Sequence, residues 1–286
     1  MVKYHKELRI PALDDFFFAP GEIIFALEKF EVLSRKHPVN ILITGRQGCG
    51  KSSLVRQFAA FYKRPLAVFQ MGLLSEPGQL FGEHTLKDGE THYSEFLFPK
   101  AISTPRCVVH LEEINRPEHP KALNELFSVL SEDRCIWVDQ LGMVEVAEGV
   151  IIFATMNEGE GFTGTDALDA ALKDRFYTIS LDYLPAEVER EVLHLKAGVS
   201  EKDAGTIVKI VHKLRDSPKF PVSISTRHSL MMAELMAAGA SVREAMIYSL
   251  QVSADVIEST LLSVHAETGD MQPRDNKYVF FKPEER

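Results

Sequence analysis

Apolar residues follow two kinds of pattern in this chain, and the change falls near residue 185. Before it, short unbroken runs recur: Val39-Asn40-Ile41-Leu42-Ile43, Pro65-Leu66-Ala67-Val68-Phe69, Cys107-Val108-Val109-His110-Leu111 and Val150-Ile151-Ile152-Phe153-Ala154. Runs of this length without alternation fit parallel strands buried on both faces. Between them, apolar positions return every three or four residues. This predicts helices from the helix-entry proline Pro20 to Phe30, from Ser52 to Ala60 and from Lys121 to Leu130. Strands alternating with helices make an α/β sandwich with a parallel sheet and crossover helices. After about Pro185 the strand signals stop. Ile207, Ile210, Val211 and Leu214 mark one helix, Leu230, Met231 and Leu235 a second, and Met246, Ile247 and Leu250 a third. The predicted organisation is an α/β domain over 1–185, a smaller helical domain over 186–269 and a polar tail over 270–286. The tail's apolar island Val279-Phe280-Phe281 fits docking on a neighbour and loose packing equally well.

Directly behind the first apolar run stands Gly45-Arg46-Gln47-Gly48-Cys49-Gly50-Lys51-Ser52, with Ser53 continuing into the helix. This is the complete G-x-x-x-x-G-K-[ST] spacing of a phosphate-binding loop. The glycines let successive backbone N–H groups curl around phosphate oxygens, Lys51 reaches the β- and γ-phosphates, and the Ser52 hydroxyl is a Mg²⁺ ligand. A strand before the loop and a helix after it supply the context the motif requires. The third run continues into Glu112-Glu113, two carboxylates at a strand end. In a phosphate-loop ATPase that place orients Mg²⁺ and the attacking water, so Glu112 is assigned to the metal side and Glu113 to general-base or water-orienting work.

From Glu112 onward the sequence resembles a known family. Glu112-Glu113-Ile114-Asn115-Arg116 resembles the D-E-[IV]-N-R signature of MoxR-type AAA+ ATPases. Ala154-Thr155-Met156-Asn157, the segment Leu168 to Phe176 and the lid-helix start Ile224-Ser225-Thr226-Arg227 match further family motifs in order and spacing, from roughly Pro20 to Leu235. The branch it looks most like is that of CbbQ, NirQ and GvpN. The resemblance implies a P-loop AAA+ domain with a helical lid, ATP and Mg²⁺ as cofactors, and a homo-oligomeric ring, commonly hexameric. It also implies remodelling or activation of a client protein, and a partner carrying a von Willebrand factor A domain. Residue by residue it implies Asn157 as sensor 1, Arg175 as an arginine finger acting on the neighbouring subunit, and Arg227 as sensor 2. Read without the resemblance, Asn157 fits a strand-end turn, Arg175 a surface ion pair and Arg227 a helix-start charge. Arg116 fits an intersubunit salt bridge and a nucleotide contact equally.

The family usually has aspartate where Glu112 stands. The added methylene carries the carboxylate about an ångström deeper into a magnesium shell that tolerates little distortion. Slow hydrolysis, or a metal held through a differently placed water, is the expectation, and it leaves motor and nucleotide-dependent switch both open. Two hairpins are predicted. One turns at Asp88-Gly89 and carries Tyr93, Phe96 and Phe98 nearby, and the other runs from Arg134 to Val146. They correspond to the family's helix-2 and pre-sensor-1 inserts. The first is expected to contact clients or, alternatively, to pack its aromatics on the core. The Phe16-Phe17-Phe18 and Ile23-Ile24 region is a candidate adenine pocket, and the motif leaves ATP against GTP undecided.

Across 286 residues the formal net charge is −9, and the pI is near 5.6. This argues against nucleic acid as the default partner and leaves the motor of a restriction-type complex as an alternative. Cys49, Cys107 and Cys135 show no C-x-x-C pairing, and a disulfide at Cys49 would obstruct the loop, so reduced thiols are expected. No membrane span and no signal-peptide core are legible, which predicts a cytoplasmic protein.

Overall fold

The structure of the protein, a computed structural model, describes residues 8–87, 89–117, 119–157, 168–217, 224–250, 252–266 and 278–280. The chain enters through β1 (Phe18–Pro20) and α1 (Gly21–Leu33) and reaches β2 (Val39–Gly45), every residue of which is buried. The phosphate loop then leads into α2 (Lys51–Phe61) and β3 (Leu66–Gln70). The first hairpin is β4 (Gly82–Lys87) and β5 (Glu90–Glu95), followed by α3 (Leu97–Ile102) and β6 (Val108–Glu112). Then come α4 (Asn124–Val129), the second hairpin β7 (Cys135–Val138) and β8 (Gly142–Glu145), and β9 (Ile151–Asn157). The short α5 (Ala170–Lys173) precedes β10 (Tyr177–Leu181). Five helices follow: α6 (Ala186–Ala197), α7 (Glu201–Arg215), α8 (Thr226–Ala237), α9 (Val242–Ser249) and α10 (Ala254–Ala266), with β11 (Tyr278–Phe280) beyond them.

The central sheet has five parallel strands in the order β10-β2-β9-β6-β3. Successive side chains of a strand point to opposite faces, so each strand feeds two cores. On one face Leu42, Leu111 and Ile152 pack with Phe98 and Leu126. On the other, Ile41, Ile43 and Phe153 pack with Leu54 and Phe58 of α2. Each such fully buried side chain contributes roughly 1.5–3 kcal/mol from removal of apolar surface, and β2, an inner strand, is held from both sides. A third core joins α6 through α10 around Ile207, Val211, Met232 and Met246. A small fourth cluster of Phe18, Val188 and Val192 ties β1 to α6.

Four expectations need correction. The fifth strand, β10, was not anticipated, because as an edge strand it buries only Ile179 and Leu181 and shows no continuous apolar run. The helix expected over Lys121 to Leu130 is split into a 3₁₀ turn, Pro120–Leu123, and the short α4. Met231 and Ile247, expected in the helical core, are 39 % and 43 % exposed, while Ser229, Met232 and Ala233 take the inner face of α8. Of the apolar island, Val279 and Phe280 lie in β11, which pairs antiparallel with β1, and Phe281 lies outside the described residues. Both hairpins form where expected, although Asp88 of the first turn lies outside the described residues. Among the described residues no helix is long and apolar enough to cross a membrane. The three cysteines are free thiols.

Candidate active site

In parallel α/β sheets ligand sites form at the carboxyl ends of the strands, and the register here brings the predicted residues to that end. Gly45 pairs with Asn157 on one side and Leu181 on the other, and Gln70 pairs with Glu112. A cleft of about 320 Å³ opens there. Its walls include residues 47–54 of the phosphate loop and α2, Glu112, Glu113, Asn157, Arg227 and the segment 16–20.

The loop has the shape its glycines allow. Gly45, Gly48 and Gly50 all have positive φ, at 146°, 72° and 99°. A methyl group on Gly50 would meet nothing within 4 Å, so the loop presents bare backbone to the cleft. At Gly48 it would sit 2.3 Å from Cβ of Ser225, because the start of α8 lies directly on the loop. Helix α2 has no side-chain cap, which leaves its first N–H groups directed at the cleft. This backbone cradle fits a nucleotide's phosphates.

Lys51 is 8 % exposed. Its ammonium donates to the carbonyls of Gly45 at 3.0 Å and Arg46 at 2.8 Å and to Asn157 Oδ1 at 2.8 Å. Burial lowers its pKa from the ordinary lysine value, opposed by the nearby Cys49, Glu113 and Glu112. Burial likewise raises the Cys49 thiol, so the cysteine inside the loop is a neutral, poorly nucleophilic group. Ser52 Oγ donates to Glu112 Oε1, and Gln70 Nε2 donates to Glu112 Oε2. A hydroxyl and a carboxylate in contact at the cleft wall form a hard-oxygen donor set, the kind that suits Mg²⁺.

Glu113 adopts φ 56°, an uncommon conformation for a residue with a side chain. Its turn is held by Thr155, whose hydroxyl accepts from the Glu113 N–H at 3.4 Å and whose carbonyl accepts from Ile114 at 3.0 Å. The Glu113 carboxylate accepts from Asn157 Nδ2 at 3.4 Å and pairs with Arg116 at 2.7 Å. Arg116 thus meets an acid of its own chain. Beneath Thr155, His110 Nε2 lies 3.1 Å from the hydroxyl, and its burial lowers the imidazole pKa to about 4.

Arg175 does not line the cleft. Its guanidinium lies 5.0 Å over the Phe127 ring and donates to the Ala171 carbonyl. The structure therefore brings together Lys51, Ser52, Glu112, Glu113, Asn157 and Arg227 and leaves Arg175 outside. Of the candidate adenine region, Phe16, Phe17 and Phe18 line the cleft, while Ile23 and Ile24 do not. Sequence reasoning gave no role to Thr155, Gln70, Ser225 or Lys196, the last of which also lines the cleft. Thr155 and Ser225 sit inside recognised motifs, but Gln70 and Lys196 carry no local signal.

A central parallel sheet with a phosphate loop after β2, paired acids at the carboxyl end of β6 and a helical part behind it defines a P-loop ATPase of the AAA+ class. Residues 40–176 match the AAA domain of the dynein-related subfamily, and residues 189–259 match the CbbQ/NirQ/NorQ C-terminal domain. A Thauera aromatica protein carrying the chaperone-type name BssE is 55 % identical over 276 residues, 96 % of each chain. An uncharacterized Staphylococcus haemolyticus protein is 27 % identical over 72 % of this chain and 76 % of its own. Among solved structures, the Holliday junction branch migration motor RuvB of Thermotoga maritima superposes with a TM-score of 0.55 at 16 % identity. The superposition spans 89 % of this chain and 72 % of RuvB, and at that identity it speaks for the fold alone. The chain belongs to the MoxR-type AAA+ ATPases of the CbbQ/NirQ branch.

Proposed function

We propose that this AAA+ ATPase assembles into a homo-oligomeric ring, most simply a hexamer, and uses Mg²⁺-dependent ATP hydrolysis to remodel, activate or mature a partner protein complex. The observation that carries this reading is the division of the motif residues: six converge on one cleft and Arg175 stands outside it. A site lacking its cationic finger is completed by a neighbouring copy, and such a finger contributes about 10³- to 10⁵-fold to turnover.

In this reading the loop N–H groups and Lys51 bind the β- and γ-phosphates, and Ser52 and Glu112 hold the magnesium side. Magnesium, when bound, neutralises the phosphate oxygens that gain charge in transfer. Glu113 accepts the proton of the attacking water, Asn157 fixes both that carboxylate and Lys51, and Arg227 meets the γ-phosphate from the lid. Residues 1–185 form the nucleotide-binding domain, 186–269 the lid that moves against it and 270–286 the tail. A cytoplasmic location, a client protein and a partner with a von Willebrand factor A domain complete the proposal.

A slowly hydrolysing switch is a second reading, favoured by the engagement of both acids: Glu112 by Ser52 and Gln70, Glu113 by Arg116. ATP turnover per subunit, measured against protein concentration with Glu113→Gln and Arg175→Ala alongside, separates the two. Specific activity that rises with concentration and falls by at least about 10²-fold in both variants supports the ring ATPase. Tight ATP binding with no turnover in the parent protein favours the switch. Turnover independent of concentration and indifferent to Arg175 removes the finger.

A further inference from the structure

We infer that Gln70 is a positioning residue for Glu112, its side-chain amide holding the longer carboxylate of this chain in place for the magnesium of the bound nucleotide. The inference rests on the proposed reading of Glu112 as the metal-side acid and deepens it.

Strands β3 and β6 are parallel neighbours, and their register sets Gln70 beside Glu112 at the carboxyl end of the sheet. The two Glu112 oxygens are divided between two elements. Oε1 accepts from Ser52 Oγ at the start of α2, and Oε2 accepts from Gln70 Nε2 at the last position of β3. A glutamate has one more rotatable bond than an aspartate, so its carboxylate samples more positions unless something holds it. The Gln70 amide removes that freedom. Its neutrality matters too, because a lysine or arginine in its place would pair with the carboxylate and compete with a divalent cation for the same charge. An amide orients Glu112 and leaves its negative charge for the metal.

The pair is also matched in length. Shortening Glu112 by one methylene would draw the carboxylate back by about an ångström, beyond the narrow window of roughly 2.7–3.2 Å in which an amide donates a good hydrogen bond. Gln70 is exposed, so replacing it removes a hydrogen bond and little packing.

The test is the Mg²⁺ dependence of binding of a ribose-labelled fluorescent ADP, followed in parallel with ATP turnover, for Gln70→Leu in the parent and in a Glu112→Asp background. In the parent, Gln70→Leu should raise the Mg²⁺ concentration for half-maximal binding about three- to tenfold, the net worth of one hydrogen bond. Binding of the probe in EDTA and the unfolding midpoint should stay unchanged. In the Glu112→Asp background the same substitution should shift the Mg²⁺ requirement by less than about twofold, because that hydrogen bond is already lost. An unchanged Mg²⁺ requirement in Gln70→Leu, or equal shifts in both backgrounds, overturns the inference. Glu112→Ala provides the separate control. If it leaves the Mg²⁺ requirement unaltered, the metal-side reading of Glu112 fails, and the role of Gln70 falls with it. If it raises the requirement while Gln70→Leu does not, only the role of Gln70 falls.

Discussion

Glu189 shows what a single residue can hold at a place no motif marks. Its carboxylate has no exposed surface and receives both guanidinium ends of Arg215, at 2.7 and 2.9 Å, together with His212 at 2.9 Å and Ser229 at 2.7 Å. Burial by itself would raise its pKa, but the hydrogen bonds from His212, Arg215 and Ser229 and the Arg215 charge outweigh it and bring the group to about 2. The folded value lies below the ordinary 4.5, so the stabilisation is fully present above pH 4.5 and is lost as pH falls through 4.5 toward 2. At about 1.4 kcal/mol per unit this amounts to roughly 3 kcal/mol. Glu189→Gln should therefore flatten the acid limb of unfolding midpoint against pH. At neutral pH it should cost about 3–5 kcal/mol, because Arg215 stays buried without its counter-charge. An acid limb as steep as the parent's would show that other carboxylates dominate. The partners lie 23, 26 and 40 positions from Glu189, which is why the network is invisible to any window along the sequence. Arg215 in turn stacks 4.3 Å over Tyr183, whose hydroxyl donates to the Gln47 carbonyl, so the C-terminal helical core touches the phosphate loop through one ring.

At the scale of elements, the three internal strands and the loop helix were legible because each is buried on both faces or belongs to a long motif, and the edge strand β3 was legible from its short apolar run. The other edge strand and the surface elements were not. Strand β10 alternates, and α8 turns a face containing Ser229 inward because that serine satisfies Glu189, displacing Met231 toward solvent. The first hairpin was legible from its Asp88-Gly89 turn and the second from its likeness to a family insert, but the roles of their side chains were not. Phe98 is fully buried, and a methyl group on Gly82 would lie 2.5 Å from the Tyr93 ring, so these two aromatics pack the insert rather than display it. The exposed large apolar residues of the hairpins and their ends include Leu86 at 78 %, Trp137 at 64 %, Met143 at 54 % and Phe96 at 37 %. Gln140 Nε2 and His84 Nε2, 3.2 Å apart, join the two hairpins. If the hairpins receive a client, the double variant Leu86→Ser, Trp137→Ser should keep basal ATP turnover within about twofold and lose its stimulation by a partner protein, since exposed apolar residues carry contact and little stability. Retained stimulation would place the client elsewhere. Tyr93→Ala should instead lower the unfolding midpoint.

For the whole molecule, the proposed ring makes a prediction that no single chain can meet. Glu113→Gln subunits supply an intact Arg175 and a dead acid, and Arg175→Ala subunits supply the reverse. Mixed in equal amounts, two inactive preparations should regain a measurable fraction of parental ATP turnover, because some interfaces then pair an intact Glu113 with an intact Arg175. Activity that stays at the level of the separate variants would place Arg175 outside the chemistry. The position of Arg175 over Phe127 and away from the cleft of its own chain is what the prediction builds on.

The amino-acid sequence by itself determined the class of this protein. A phosphate loop, a paired-acid strand end and a run of ordered motifs are local spacings, and the backbone geometry they need is written in adjacent residues. It also determined the parallel sheet, because strands buried on both faces must be continuously apolar. Only the tertiary structure decided the rest. It drew Gln70 onto Glu112 across two strands, laid Ser225 against Gly48, closed Glu189 within the C-terminal helical core and paired β11 with β1. Each of these contacts joins residues far apart in the chain, where burial and strand register select the partner and no local pattern records it.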